Sequence, residues 1–176
     1  MNGGKCAWSA LIGLLVAFAG GPGLAQSRPA HFEGKIDDHT TMTAGSWEMH
    51  GTWSLDIKGD SGKADFTAAL DMERADFFFV NPGGNPNDLT VRNAHTHHIA
   101  MADGAVSLLA NGFRLAGAAA LTGNGSTPPF GTSSSLQVDV TGGNLVEFSN
   151  VALTFSGDAQ KHFGANPIAG VVTGLR

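Results

Sequence analysis

Trp47-Glu48-Met49-His50-Gly51-Thr52-Trp53-Ser54-Leu55-Asp56-Ile57 is the stretch that decides the fold. Trp47, Met49, Gly51, Trp53, Leu55 and Ile57 share one parity, and Glu48, His50, Thr52, Ser54 and Asp56 share the other. Successive side chains of a strand point to opposite faces, so this period of two predicts a strand with one apolar and one polar face. The next run repeats it, with Phe66, Ala68, Leu70 and Met72 set against Asp65, Thr67 and Asp71. Between them, Lys58-Gly59-Asp60-Ser61-Gly62-Lys63 has turn composition. Pairing Ile57 with Ala64 puts both apolar sets on one side, which predicts a β-hairpin of a single register.

Working outward, the same alternation recurs and helical spacing does not. A second hairpin is expected to turn at Asp103-Gly104, with Met101 opposite Val106 and Ile99 opposite Leu108. A third is expected through Gly142-Gly143-Asn144, with Val140 opposite Val146 and Val138 opposite Phe148. The apolar phase then slips to Val151, Leu153 and Phe155, as a bulge near Ser149-Asn150 would cause. Phe113 to Leu121 reads as a strand whose Ala116, Ala118 and Ala120 would admit a second layer. Ala75 to Val80 reads as a strand buried on both faces, and Ile168 to Val172 as the last strand. About nine or ten short strands at this spacing predict an all-β, antiparallel β-sandwich or β-barrel.

Before that domain comes a different kind of segment. Lys5 precedes the apolar run Ala10 to Ala19, and Gly23-Leu24-Ala25 supplies small residues for cleavage. This predicts a signal peptide over 1–25, a flexible leader over 26–31 and a single all-β domain over 32–176, in a secreted or periplasmic protein. The only cysteine, Cys6, leaves with the signal, and losing Lys5 takes the formal charge from −5 to −6. The absence of a Lys/Arg cluster argues against nucleic acid as a partner. No membrane-spanning segment is expected after cleavage. An outer-membrane barrel would want aromatic girdles, yet the chain has no Tyr and keeps only Trp47 and Trp53 after the signal.

Chemistry concentrates in Asn93-Ala94-His95-Thr96-His97-His98-Ile99-Ala100-Met101. His95 and His97 fall on one strand face about 6.5–7 Å apart, a spacing from which two imidazoles can reach one ion. They share that face with Ile99 and Met101, so they are expected to point inward, where a bare imidazole is costly. His98 points the other way. A zinc or copper ion is the expected occupant, and zinc asks for a third ligand. His50, His39, His162, Asp37 and Asp38 are the candidates, with His50 placed in the site alongside His95 and His97. Cupins also carry a His-x-His strand, but here Met101-Ala102 stand where their acidic ligand would be.

No catalytic residue is assigned. Gly59-Asp60-Ser61-Gly62 matches part of a serine-protease nucleophile loop, but a hairpin turn accounts for it and no triad is in view. The function expected is that of an exported, non-enzymatic binding protein for a metal or small ligand at His95 and His97. A metal-dependent enzyme using the same histidines is the chemical alternative. A third reading is a barrel carrying an apolar ligand against Trp47, Trp53, Phe66, Phe77 and Phe79. Ile36-Asp37-Asp38-His39-Thr40 and Ala75-Asp76-Phe77-Phe78 resemble fragments of the exported YceI-like proteins. That resemblance implies a lipocalin-shaped barrel and a long apolar lipid as ligand.

Overall fold

A computed structural model describes residues 30–42, 45–76, 83, 85, 92–124, 134–142 and 145–176. The described strands are β1 (Ala30–Met42), β2 (Gly45–Ile57), β3 (Lys63–Arg74), β4 (His95–Leu109), β5 (Gly112–Gly123), β6 (Ser134–Gly142), β7 (Asn150–Gly157) and β8 (Ile168–Leu175). One short helix, α1 (Asp158–Phe163), joins β7 to β8. Each strand pairs antiparallel with the next, and β8 returns to β1, closing an eight-stranded barrel. Closure gives every described strand a partner on both sides, so the sheet has no edge strand.

The inner face follows the period-two reading. Trp47, Met49, Trp53 and Leu55 of β2 and Phe66, Leu70 and Met72 of β3 are buried. Ile57 pairs with Ala64, as the hairpin register requires. Leu115 and Leu121 of β5, Val138 and Val140 of β6 and Leu153 and Phe155 of β7 complete one apolar cluster inside the barrel. An eight-stranded barrel has an interior just wide enough for side chains to fill.

Three expectations are corrected. Asp103-Gly104 is not a hairpin turn. β4 runs on to Leu109, and its register jumps between Met101 and Ala105. Asp103 takes φ 55°, and the bulge is held from outside. Its amide donates to Asp65 Oδ1 at 2.9 Å, and Lys58 Nζ reaches Asp65 and Asp103 at 2.7 and 2.8 Å. Ile99 therefore faces Leu121, and Val106 faces Leu115. A long strand with a bulge buries more of the sheet than two short arms would.

The third hairpin is also longer than expected. Val140 pairs with Leu153 and Val138 with Phe155. Val146 and Phe148 belong to the connection, where Phe148 adopts φ 63° and is 78% exposed. Its amide donates to the Val172 carbonyl at 2.7 Å, which ties the connection to β8. With these two changes the described residues hold eight strands. Ala116, Ala118 and Ala120 are exposed, because a single closed sheet has no second layer to meet them. Ala75 and Asp76 form a turn, and the rest of the strand expected there, residues 77–80, lies outside the described residues.

Candidate metal centre

β4 begins with His95 and His97 on its inner face, beside buried Ile99 and Met101. His98 points out and is exposed. Across the sheet His95 faces Met72, and His97 faces Leu70 on one side and Gly123 on the other. Gly123 is needed there. A Cβ at that position would lie 2.9 Å from His97 Nδ1 and 3.1 Å from the Thr96 carbonyl oxygen.

The third histidine comes from α1. That helix has six residues and lies between Gly157 (φ 76°) and Gly164 (φ 83°). So short a helix does not hold itself together. Ala159 (0% exposed) and Phe163 (1%) dock it into the end of the barrel where β4 starts. Burying one phenylalanine in this way contributes roughly 1.5–3 kcal/mol. His162 and Phe163 fall three and four residues after Ala159, so all three share the inward side of the turn.

The three imidazoles meet edge to face. Ring centres are 4.8 Å apart for His95 and His97, 4.4 Å for His97 and His162, and 5.6 Å for His95 and His162. One ligating nitrogen from each ring lies within 4.8 Å of the other two. Among the described residues this is the one such group, and it contains no carboxylate or thiol. Bonds of about 2.0–2.1 Å to a shared ion would draw the nitrogens closer by a small rotation of each ring.

Hydrogen bonding sets which nitrogen faces the group. His95 Nδ1 donates to the Asn93 carbonyl at 2.6 Å, and Asn93 adopts φ 50°. His97 is 3% exposed, and its Nε2 is buried with no hydrogen-bond partner. In a neutral imidazole that donates from Nδ1, Nε2 carries the lone pair. The Asn93 carbonyl thus prepares His95 to bind through Nε2, an outer-shell role usual around metal-bound histidine.

Burial is the main reason that His97 titrates low, pushed down to about 4, and its neighbours His162 and His95 add to the effect. His162 is also pushed down to about 4, by burial first and by His95 second. Both are neutral at pH 7, the form in which imidazole binds a metal.

Thr96, between the two strand histidines, holds the segment from outside. Its hydroxyl donates to Asp71 Oδ1 at 2.6 Å, and its amide donates to Asn124 Oδ1 at 2.6 Å. Asn124 returns a backbone bond to the Thr96 carbonyl at 3.1 Å.

His50 is not the third member. It lies on the polar face of β2, is exposed and pairs with Asp37 at 3.2 Å. His39, Asp37 and Asp38 line the same surface depression as His50. The parity of β2 already carried this signal, since His50 alternates with the inward Trp47, Met49 and Trp53. Ala159, His162 and Phe163 carry a weaker one, a single helical turn between two glycines. Of the residues suggested for an apolar ligand, Trp47, Trp53 and Phe66 are packed in the core. Phe77 and Phe79 lie outside the described residues. Trp47 also stands 5.5 Å from His95, edge to face. No family model, curated protein or solved structure matches the chain.

Proposed function

We propose that this chain is an exported metal-binding protein, with one transition-metal ion held by His95, His97 and His162 at the helix-capped end of the barrel. One observation carries the reading. Three histidines from two separate elements converge inside a hydrophobic barrel, with His95 Nδ1 committed to a backbone carbonyl and His97 Nε2 buried without a partner. Leaving the His97 Nε2 buried without a partner costs on the order of 1–3 kcal/mol. An ion would remove that cost. The exposed His50–Asp37 pair belongs to the surface and takes no part.

The role proposed is binding, without catalysis. No nucleophile or general base stands in the described group beside the histidines. Export rests on the N-terminal pattern of Lys5, the apolar run and Gly23-Leu24-Ala25. Fractionation of expressing cells followed by N-terminal sequencing tests it, with Gln26 expected as the first residue outside the cytoplasm.

The metal reading is tested on untagged protein by elemental analysis and by titration with metal salts. One ion per chain is expected. The stoichiometry should fall to zero in His97→Ala and in His162→Ala, and stay at one in His50→Ala. A chain that binds no transition metal, or that keeps its ion without His97 and His162, would overturn the reading.

A further inference from the structure

We propose that the three-histidine centre takes copper in its monovalent state, copper(I), in preference to zinc(II). This inference rests on the metal-binding reading and specifies the ion. It is carried by the charge and softness of the surroundings.

Every donor in the described group is an imidazole nitrogen, with no carboxylate or thiol among them. His95 spends its Nδ1 hydrogen on the carbonyl of Asn93, where a carboxylate would have supplied negative charge. The walls are apolar. Phe163 lies 5.3 Å from His97 and 5.0 Å from His162, ring centre to ring centre. Leu70, across from His97, is fully buried.

The cost of placing an ion in such a medium scales with the square of its charge, so an uncompensated dication costs about four times as much as a monocation. Zinc(II) completes its shell with a fourth donor, usually water or an anion. Copper(I) is satisfied by three neutral donors. The remaining inward neighbour favours it further. Met72 faces His95 across the β3–β4 register and is 2% exposed. A thioether is a soft donor that selects copper(I).

The test uses the full chain carrying Cys6→Ser, which removes the only thiol and with it a competing copper(I) ligand. Copper(I), kept reduced with ascorbate under anaerobic conditions, is titrated against bicinchoninate. Zinc(II) is titrated against a chromophoric chelator at the same pH. Copper(I) is expected to bind more tightly by about 1,000-fold or more, corresponding to roughly 4 kcal/mol. His95→Gln, checked for its β-sheet circular dichroism, should lose copper(I) binding. Zinc binding equal to or tighter than copper(I) overturns the selectivity and leaves the metal site standing. Copper(I) held unchanged by a folded His95→Gln variant overturns the assignment to this centre. Failure of both ions to bind overturns the metal-binding reading itself.

Discussion

His31 and His97 carry the same side chain at opposite ends of the barrel, and the sheet gives them opposite chemistry. His31 stands where β1 begins, with Asp56 directly across on β2. Its Nδ1 lies 2.5 Å from Asp56 Oδ1, and its Nε2 lies 3.3 Å from Glu33. The hydrogen bond to Asp56 raises its pKa above the usual histidine value. His97 stands where β4 begins, with Leu70 and Gly123 across from it, and burial drives its pKa down to about 4. Cross-strand register decides the difference. Outward His31 meets carboxylates, which favour its protonated form. Inward His97 meets an apolar face, which favours the neutral form. His50, opposite Asp37, lies on the outer face as His31 does.

The largest effect should come from exchanging the two kinds of histidine. His97→Ala removes an inner ligand, and metal affinity should fall by more than the roughly 10–100-fold that loss of an outer-shell partner costs. His31→Gln and His50→Gln should leave it unchanged. Calorimetric titration of the three variants checks this. Equal losses in all three would mean that the distinction between inner and outer histidines has no bearing on binding.

Acid unfolding of the metal-free chain sharpens the contrast, because the two ends should respond with opposite sign. The unfolded chain takes up protons on its histidines near pH 6.5, whereas folded His97 and His162 resist until about pH 4. Stability from these two is therefore complete above about pH 6.5, drains away as the pH falls toward 4, and changes no further below it. A shift of that size on His97 corresponds to on the order of 3 kcal/mol. His31 works the other way. Its contribution is complete below its unfolded pKa and is lost as the pH rises through its raised folded value, and for so exposed a pair it amounts to no more than about 1 kcal/mol. Urea midpoints between pH 4 and pH 7 measure the first, and their continuation to about pH 9 measures the second. His97→Leu should flatten the acid-side slope, and His31→Gln should leave that slope in place.

The sequence disclosed the two ends unequally. Alternation in Trp47 to Ile57 and in Phe66 to Met72 marks both strands and their register, and the parity of Ile99 and Met101 marks the inward aim of His95 and His97, because a period of two is a local property. The bulge at Asp103 was read as a turn, since Asp-Gly suits either and only the pairing of β4 with β5 decides between them. His162 was harder to place. Its contact with β4 depends on closure of the whole sheet, and α1 is too short to leave a periodic signature. The exclusion of His50 was legible in retrospect, since a residue alternating with Trp47, Met49 and Trp53 cannot share their face.

A smaller effect is expected from the wall beside the centre. Gly123→Ala would set a methyl group 2.9 Å from His97 Nδ1. The ring must turn, which moves Nε2 away from the other two nitrogens. Metal affinity should fall by about 10–100-fold, the range for outer-shell disruption. The urea midpoint at pH 7 separates a displaced ring from an unfolded barrel. Unchanged affinity in a folded Gly123→Ala variant would show that His97 does not need the space.

The smallest effect tests whether the outer face positions the inner one. Thr96 sits between His95 and His97 but points outward, where its hydroxyl bonds Asp71. Thr96→Val keeps the shape and the strand preference of the residue and removes that bond, while the amide bond to Asn124 remains. A hydrogen bond to a charged group contributes at most about 1.5–3 kcal/mol, and less where water competes for both partners, so the chain should stay folded. A looser start to β4 lets the two rings depart from their shared aim, and metal affinity should drop by no more than about 10-fold. Asp71→Asn, which retains an acceptor for the hydroxyl, should restore nearly all of it relative to Asp71→Ala. If Thr96→Val and Asp71→Ala both bind as tightly as the parent chain, the two bonds between Thr96 and Asn124 and that from His95 Nδ1 to the Asn93 carbonyl hold the histidines by themselves.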